Sequence, residues 1–380
     1  MRARHLLTNL ALAAGALALG LGALELALRS FPSLLPAGSY GASRYDDELM
    51  ASVHGSDVVY HGVRLVEREV NAEGFLDVGH ARTKPPATLR VGFFGDSYVE
   101  AAQVPLAQAF FRRLPERIGG QTLEAFGFGV SGWGTLHAAL AYRTLAPRYD
   151  LDAAVYVFVE NDPGDNDVHV QGARVRRLSP KTFATLSPHP PGYELVLLNP
   201  PERIPAGWRL AKLAQERLLV ARLLWARVSL LARTGWPRPQ RNARLDREMA
   251  TRADGAPDQN DLPSSWPADY RERSRELAER ILRDWRDRAR REGRMLLVLY
   301  VPRGEAQLRG EIALADTWKP WLEATAGALG LPLLDPSAAL RRRMNAGEPV
   351  YDDHWSPAGH EVVAAELERE LQARLRPSGS

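Results

Sequence analysis

The sequence predicts an α/β protein built on a parallel sheet covered by helices on both faces. Three observations carry this expectation. Short apolar, β-branched runs alternate with segments of helical spacing, the pattern of repeated strand–helix units. The runs are apolar throughout, as strands buried on both faces are. Residues able to do chemistry fall just after the strands, at the edge where open parallel sheets bind ligands.

The chain has 380 residues, enough for one large core or two modest ones. It opens with a basic stretch, Arg2 and Arg4, followed by 19 uncharged residues at 6–24; apolar character resumes after Glu25 as far as Leu28. About 20 such residues span a bilayer's hydrocarbon, whereas the apolar core of a cleaved signal is usually about 7–15 residues. Residues 1–30 are therefore expected to be a signal anchor crossing the membrane through 6–28. Cleavage and secretion near Ala16-Leu17-Ala18 is the second choice. Arg2 and Arg4 keep the start of the chain in the cytoplasm, so the rest faces the periplasm or cell envelope.

Residues 31–88, rich in Pro, Gly and Ser, suggest a juxtamembrane stalk leading into the domain. A first strand is predicted at 89–94, a helix at 105–118, and a second strand at 122–132 running into a glycine-rich turn. A helix at 135–146 and a third strand at 152–162 follow. The pattern then lapses. An insertion at about 168–270 is punctuated by prolines and holds one long amphipathic helix at 208–231, expected to pack on its own domain, with a lid or a membrane-surface element as the alternatives. Alternation resumes with a helix ended by Gly293, a fourth strand at 295–302, a helix at 319–329 and a fifth strand at 331–335. The last helix opens on Ser356 as N-cap with Pro357 in its first turn, which leaves His354 in the loop before it.

Composition removes several functions. The chain contains no cysteine, which excludes disulfides, thiolate metal sites and a cysteine nucleophile. The net charge is +3, and its arginines are scattered among acids without interleaved aromatics, so no nucleic-acid partner is expected. Asp162, Asp165 and Asp167 lack the glycine and distal Glu of a calcium loop, and no metal is assigned to them.

Four polar stretches remain, each after a strand: Gly95-Asp96-Ser97, the turn around Gly132, Asn161-Asp162, and Asp352-Asp353-His354. Acyl transfer by serine needs a hydroxyl, an imidazole to take its proton, a carboxylate to orient the imidazole, and donors for the oxyanion. Ser97, His354 and Asp352 fill the first three roles. The amides of Ser97 and Gly132 and the side-chain amide of Asn161 fill the fourth. Asp352 is preferred to Asp353 because residues two apart on an extended segment share a side. Trp133 and Trp355 flank the site and either line a substrate pocket or cover the core. His137 is expected to pack or cap, and His360, inside the last helix, to be a satisfied surface or half-buried histidine.

These residues resemble the four blocks of the SGNH hydrolases, the GDSL esterase/lipase family, over roughly 89–167 and 295–375. The anchored start and the sequence around Gly132 are similar to membrane-anchored bacterial members. The third block departs from the family pattern with Val159 two residues before Asn161. The last departs with Tyr351 three residues before His354. The resemblance implies a three-layer α/β/α, flavodoxin-like fold over 89–380 and serine ester hydrolysis without a cofactor. The substrate would be a small or glycan-linked acyl ester. The alternatives are O-acyl transfer to a cell-surface glycan and a non-catalytic surface-binding relative.

Overall fold

The computed structural model describes residues 2–62, 65–172, 175, 179–235 and 257–375. Helix α1 (Arg2–Ser30) comes first. Within it Arg4–Ser30 is, among the described residues, the one helix long and apolar enough to cross a membrane. Four short strands follow: β1 (Ser43–Asp46) pairs antiparallel with β2 (Ala51–His54), and β3 (Val58–His61) with β4 (Val66–Glu69).

The central sheet is made of β5 (Thr88–Gly95), β6 (Arg117–Ile118), β7 (Gln121–Gly129), β8 (Ala153–Phe158), β11 (Met295–Tyr300) and β12 (Leu333–Leu334). Between β8 and β11 a separate hairpin forms from β9 (Lys181–Leu186) and β10 (Tyr193–Leu198). The sheet runs β12-β11-β8-β5-β7-β6, and all of its pairings are parallel except that of β6 with β7. Numbering the parallel strands along the chain gives the order 2-1-3-4-5, the doubly wound arrangement of the flavodoxin type, whose switch point lies between the first and third strands. Here those are β5 and β8.

The sheet's period of two feeds two cores. Phe94, Phe128, Tyr156, Val298 and Tyr300 point to one face. There they meet α3 (Thr135–Arg148) and the helix Ala268–Arg291, whose Trp285 packs against Phe94, Tyr142 and Tyr156. Val91, Phe93, Val155, Val157, Leu297 and Leu299 point to the other, against the closing helix Pro357–Arg374. Ser356 caps that helix by accepting from Gly359 N, and Pro357 stands in its first turn, as the sequence predicts.

Several local expectations are corrected. Residues 31–88 are not a stalk: Ala51, Val53 and Phe75 are wholly buried in the core shared with α3. Their mixed composition hid this, because pairs of four-residue strands leave little periodicity to read. The helix expected at 105–118 is two short 3-10 turns, Leu106–Gln108 and Phe110–Arg112, separated by Ala109 in an extended conformation. Its apolar spacing reflects burial of Phe110 and Phe111, not a continuous helix. The long helix at 208–231 is instead α6 (Ala206–Arg217) and α7 (Leu219–Gly235), broken where Leu218 turns extended. The fifth strand shrinks to Leu333–Leu334. Residues 236–256, in the polar part of the insertion, lie outside the described residues.

The burial of the lead-in has a measurable consequence. Phe75 stacks edge-on against Phe128 at 5.2 Å and Trp133 at 5.8 Å between ring centres. Phe75→Ala should cost about 3–5 kcal/mol in chemical denaturation. Val78→Ala, at a side chain left 44% exposed, should stay within about 0.5 kcal/mol. Equal and negligible losses would show that 31–88 is dispensable to the core.

Candidate active site

β5 ends at Gly95, and Asp96 caps the four-residue helix Ser97–Glu100 by accepting from Tyr98 N at 3.0 Å. Ser97 is thus the first residue off the strand, with its hydroxyl at the carboxyl edge of the sheet. Asp96 is fully buried; loss of solvent pushes its carboxyl well up from the ordinary range.

The other end of the chain supplies the imidazole. Ser97 Oγ–H donates to His354 Nε2 at 2.7 Å. His354 Nδ1 stands 3.0 Å from Asp353 Oδ2. An ionised carboxylate only accepts, so the proton sits on Nδ1 and Nε2 is left basic toward the serine. Asp353, not Asp352, therefore contacts the ring. The expected extended segment is a tight hairpin in which Tyr351–Asp352 pairs with His354–Trp355. Asp353 sits at its tip with φ +67°. That left-handed turn swings its side chain back onto the ring of the next residue. Asp352 is the cross-strand partner of His354 in this hairpin, and no contact joins its carboxylate to the ring.

Gly132 and Asn161 reach the same cleft, of about 530 Å³, which Ser97 and His354 also line. Gly132 takes φ +80°, a conformation that disfavours side chains. Asn161 Nδ2 donates to Asp165 Oδ2 at 2.8 Å; an amide nitrogen carries two N–H groups, so this bond fixes the side chain with a second N–H remaining. Ser97 follows the first parallel strand and Asn161 the third, so the two straddle the switch point of the sheet.

Three supports of these groups escaped the sequence reading. Lys181, on β9 of the insertion, donates to Gly132 O at 3.0 Å and to Asp165 Oδ1 at 3.1 Å. One ammonium thus ties the glycine turn to the carboxylate that holds Asn161. Burial pushes Asp165 up, against the opposing pull of Lys181 and Asn161. On the other side, buried Glu100 accepts from Ser131 N at 2.8 Å and from the Ser131 hydroxyl, and His54 Nε2 lies 2.8 Å from its other oxygen. Burial alone would raise Glu100, but His54 and Ser131 outweigh it and hold the carboxyl below its ordinary value. No spacing in the sequence signals any of these contacts, because each joins elements far apart in the chain.

The remaining candidates have structural partners. Trp133 is 3% exposed and donates from Nε1 to Ser52 O at 2.8 Å; Trp355 is wholly buried and packs on Tyr98. Neither lines the cleft; of the two roles expected of them, both cover the core, Trp133 from the turn before α3 and Trp355 from the Tyr351–Trp355 hairpin. Asp162 accepts from Tyr156 Oη–H at 2.5 Å and from Val159 N at 3.1 Å, while Asp167 accepts from His169 N and pairs with Arg273. With Asp165 on Lys181, the three acids point to three different partners.

No protein-family model matches the chain, and no curated protein sequence matches it. Among solved structures it is similar to a lipase/acylhydrolase from Enterococcus faecalis. That pair is 13% identical over 77% of this chain and 100% of that one, with a TM-score of 0.36. It is also similar to a putative lipolytic protein of the G-D-S-L family from Desulfitobacterium hafniense, at 8% identity, 74% and 98% coverage and a TM-score of 0.35. A psychrotrophic esterase from Pseudoalteromonas gives 7% identity, 76% and 99% coverage and a TM-score of 0.38. The fold itself is established by the strand order described above, which is the one implied by the resemblance to the SGNH hydrolases.

Two buried histidines near the site make a test of its electrostatics. His137 accepts from Gly134 N at 3.1 Å, and His360 from Phe110 N at 3.2 Å. Each is pushed down to about 3, by burial first, then by the Lys181 charge at His137 and the Arg113 charge at His360. An unfolded histidine takes up its proton near pH 6.5, so stability tied to these two rings is full above about pH 6.5 and is lost as pH falls toward about 3. Imidazole resonances of His137 and His360 should stay flat from about pH 8 down to about pH 4.5 in the folded chain. A midpoint near pH 6 for either ring would contradict its burial as a neutral acceptor.

Proposed function

We propose that this chain is an SGNH-type serine hydrolase that cleaves an O-acyl ester through an acyl-enzyme on Ser97. The observation that carries the reading is the hydrogen-bonded line Asp353–His354–Ser97, with spacings of 3.0 and 2.7 Å, opening on the cleft that Gly132 and Asn161 line. Ser97 Oγ attacks the ester carbonyl while His354 Nε2 takes its proton. The imidazolium so formed is held by Asp353. The oxyanion receives hydrogen bonds from Ser97 N, Gly132 N and Asn161 Nδ2. Collapse breaks the bond to the alcohol, which leaves with the proton from His354. Water then repeats the sequence and releases the acid.

The cleft offers polar groups to a substrate. Asn161, Gln259, Asn260 and Arg303 line it beside Tyr98, Val159, Val301 and Pro302. A short acyl group on a sugar or other polyol suits it better than a long hydrocarbon chain. The same lining supports the second reading, transfer of the acyl group to a glycan hydroxyl in place of water. Helix α1 supports a chain held in the membrane with its folded domain outside the cytoplasm, on the strength of Arg2 and Arg4 before the apolar span.

Ser97→Ala should lower turnover of a short-chain p-nitrophenyl ester by roughly 10⁴–10⁶, with the fold intact by circular dichroism. A fluorophosphonate probe should label the wild type and not this variant. Turnover within tenfold of wild type, or labelling elsewhere, would overturn the assignment. Counting free acid with and without added glycan separates hydrolysis from transfer.

The two neighbouring acids separate as well. Asp353 is 88% exposed at its side chain, so solvent weakens its pairing with the imidazolium, and its chief effect is to fix the tautomer. Asp353→Asn should therefore cut kcat by about 10–100-fold, less than a buried triad acid does, with KM nearly unchanged. Asp352→Asn should remain within about threefold of wild type. A crippled Asp352 variant beside an active Asp353 variant would refute the hairpin geometry.

A further inference from the structure

We propose that the α6–α7 hairpin is a second membrane contact, which lays its exposed leucines on the lipid surface beside the end of α1. The inference rests on the reading of α1 as an anchor. Glu25, one turn before the end of α1, accepts from the N–H groups of Leu219 and Val220 at 3.0 and 2.8 Å, the first residues of α7. Arg29 donates to Arg217 O at 2.7 Å, at the end of α6, and to Glu25 at 2.6 Å. Leu28 is buried against Leu35, Tyr40, Tyr60, Leu219 and Val220. The α6–α7 junction is therefore fixed to the last turn of the apolar helix. That turn is where a spanning helix of this length leaves the hydrocarbon. An unpartnered carboxylate at that depth would be costly, and the junction supplies its partners.

The surface fixed there is apolar. Among the described residues outside α1, the large hydrophobic side chains left exposed are Val78, Leu314 and a set confined to this region. That set includes Leu210 and Leu213 on α6, Leu218 at the break and Leu224 on α7, at 45–67% exposure, with Phe31 and Leu34 just after α1. Leu210 and Leu213 are three apart, and Leu224 lies four before Val228, so each helix presents them on one side. Trp208 and Trp225 pack edge to face at 5.0 Å between the helices, and tryptophan is a residue of membrane–water boundaries. Arg203, Arg209, Arg217 and Arg227 are exposed nearby, against the single exposed acid Glu202 in the same stretch, a balance that suits anionic headgroups. Leucine, tryptophan and arginine in this distribution, continuous in the fold with a spanning helix, commit the face to lipid.

The absence of cysteine makes the test direct. Single cysteines are introduced into the full-length chain by Leu210→Cys, Leu224→Cys, Leu17→Cys and Leu314→Cys. Each variant carries an environment-sensitive nitrobenzoxadiazole label and is reconstituted into phosphatidylcholine–phosphatidylglycerol vesicles. Lipids bearing a nitroxide near the headgroup should quench the labels at 210 and 224 by more than half. A nitroxide deep in the chains should quench the label at 17, and neither should quench the label at 314. Labels at 210 and 224 that behave like 314 while 17 is quenched overturn the proposal and leave the anchor standing. So does a blue-shifted but unquenched emission at 210 and 224, which means that protein covers the face. An unquenched label at 17 removes the anchor and the proposal with it. None of these readings depends on ester turnover, so failure of the hydrolase reading is seen separately.

Discussion

The site depends on one close approach. The end of β7 lies so near the Ser97 turn that a Cβ on Gly129 would come within 2.5 Å of Glu100 N and 2.8 Å of Asp96 O. Only glycine allows that distance. The contact presses the second strand's turn against the first, and this is what brings Gly132 to the hydroxyl that β5 presents. A chain that kept its parallel sheet but lost this approach would still carry Ser97, His354 and Asn161 at the sheet edge. The donors of the proposed oxyanion site would no longer face a common point. The register of β5 on β7, with Gly95 opposite Gly129, holds the two strand ends level and makes the approach possible.

Around that contact the protein builds outward from parts that the sheet alone does not contain. Glu100 belongs to the Ser97 turn and grips Ser131; Lys181 belongs to the inserted hairpin and grips Gly132 O and Asp165. His54, on the lead-in hairpin, lies against Glu100. The lead-in and the insertion thus meet the glycine turn from two sides. Flexibility at that turn would be fatal to a preorganised oxyanion site, since donors must stand where charge develops before it develops. In the proposed mechanism the added segments are therefore clamps on the catalytic loop as well as coverings of the core.

The sheet was legible because strands buried on both faces leave continuous apolar runs, and because the ends of parallel strands collect function. Ser97, His354, Gly132 and Asn161 were found by that rule, and the structure brings all four to one cleft. What was not legible shares one property. Lys181, Glu100 and His54 act through contacts between segments distant in sequence, and nothing local marks them. The lead-in strands escape notice because each is only four residues long, too short to show a period. Phe110 and Phe111 misled in the opposite way: a helical spacing of apolar residues records only that they are buried, and two 3-10 turns bury them as well.

Which acid contacts the His354 ring depends on a single backbone angle. Alternation along an extended chain would have put Asp352 beside His354, and alternation does hold for Tyr351 and Asp352 against their partners across the hairpin. It fails at the tip, where Asp353 adopts a left-handed conformation that aspartate tolerates better than most residues. The consequence is chemical as well as geometric. A buried acid both orients the imidazole and lowers the energy of its cation, whereas an acid in solvent keeps the first effect and loses most of the second. In the proposed mechanism, stabilisation of the charged intermediates then falls to the donors on the far side of the substrate. In this protein those are the groups braced by Lys181, which donates to Gly132 O and Asp165, and by Glu100, which accepts from Ser131. In the proposed mechanism the exposed acid and the clamped oxyanion turn are thus two halves of one arrangement: electrostatic preorganisation sits at the turn braced from both sides, and the open hairpin is left the lighter task of holding a tautomer.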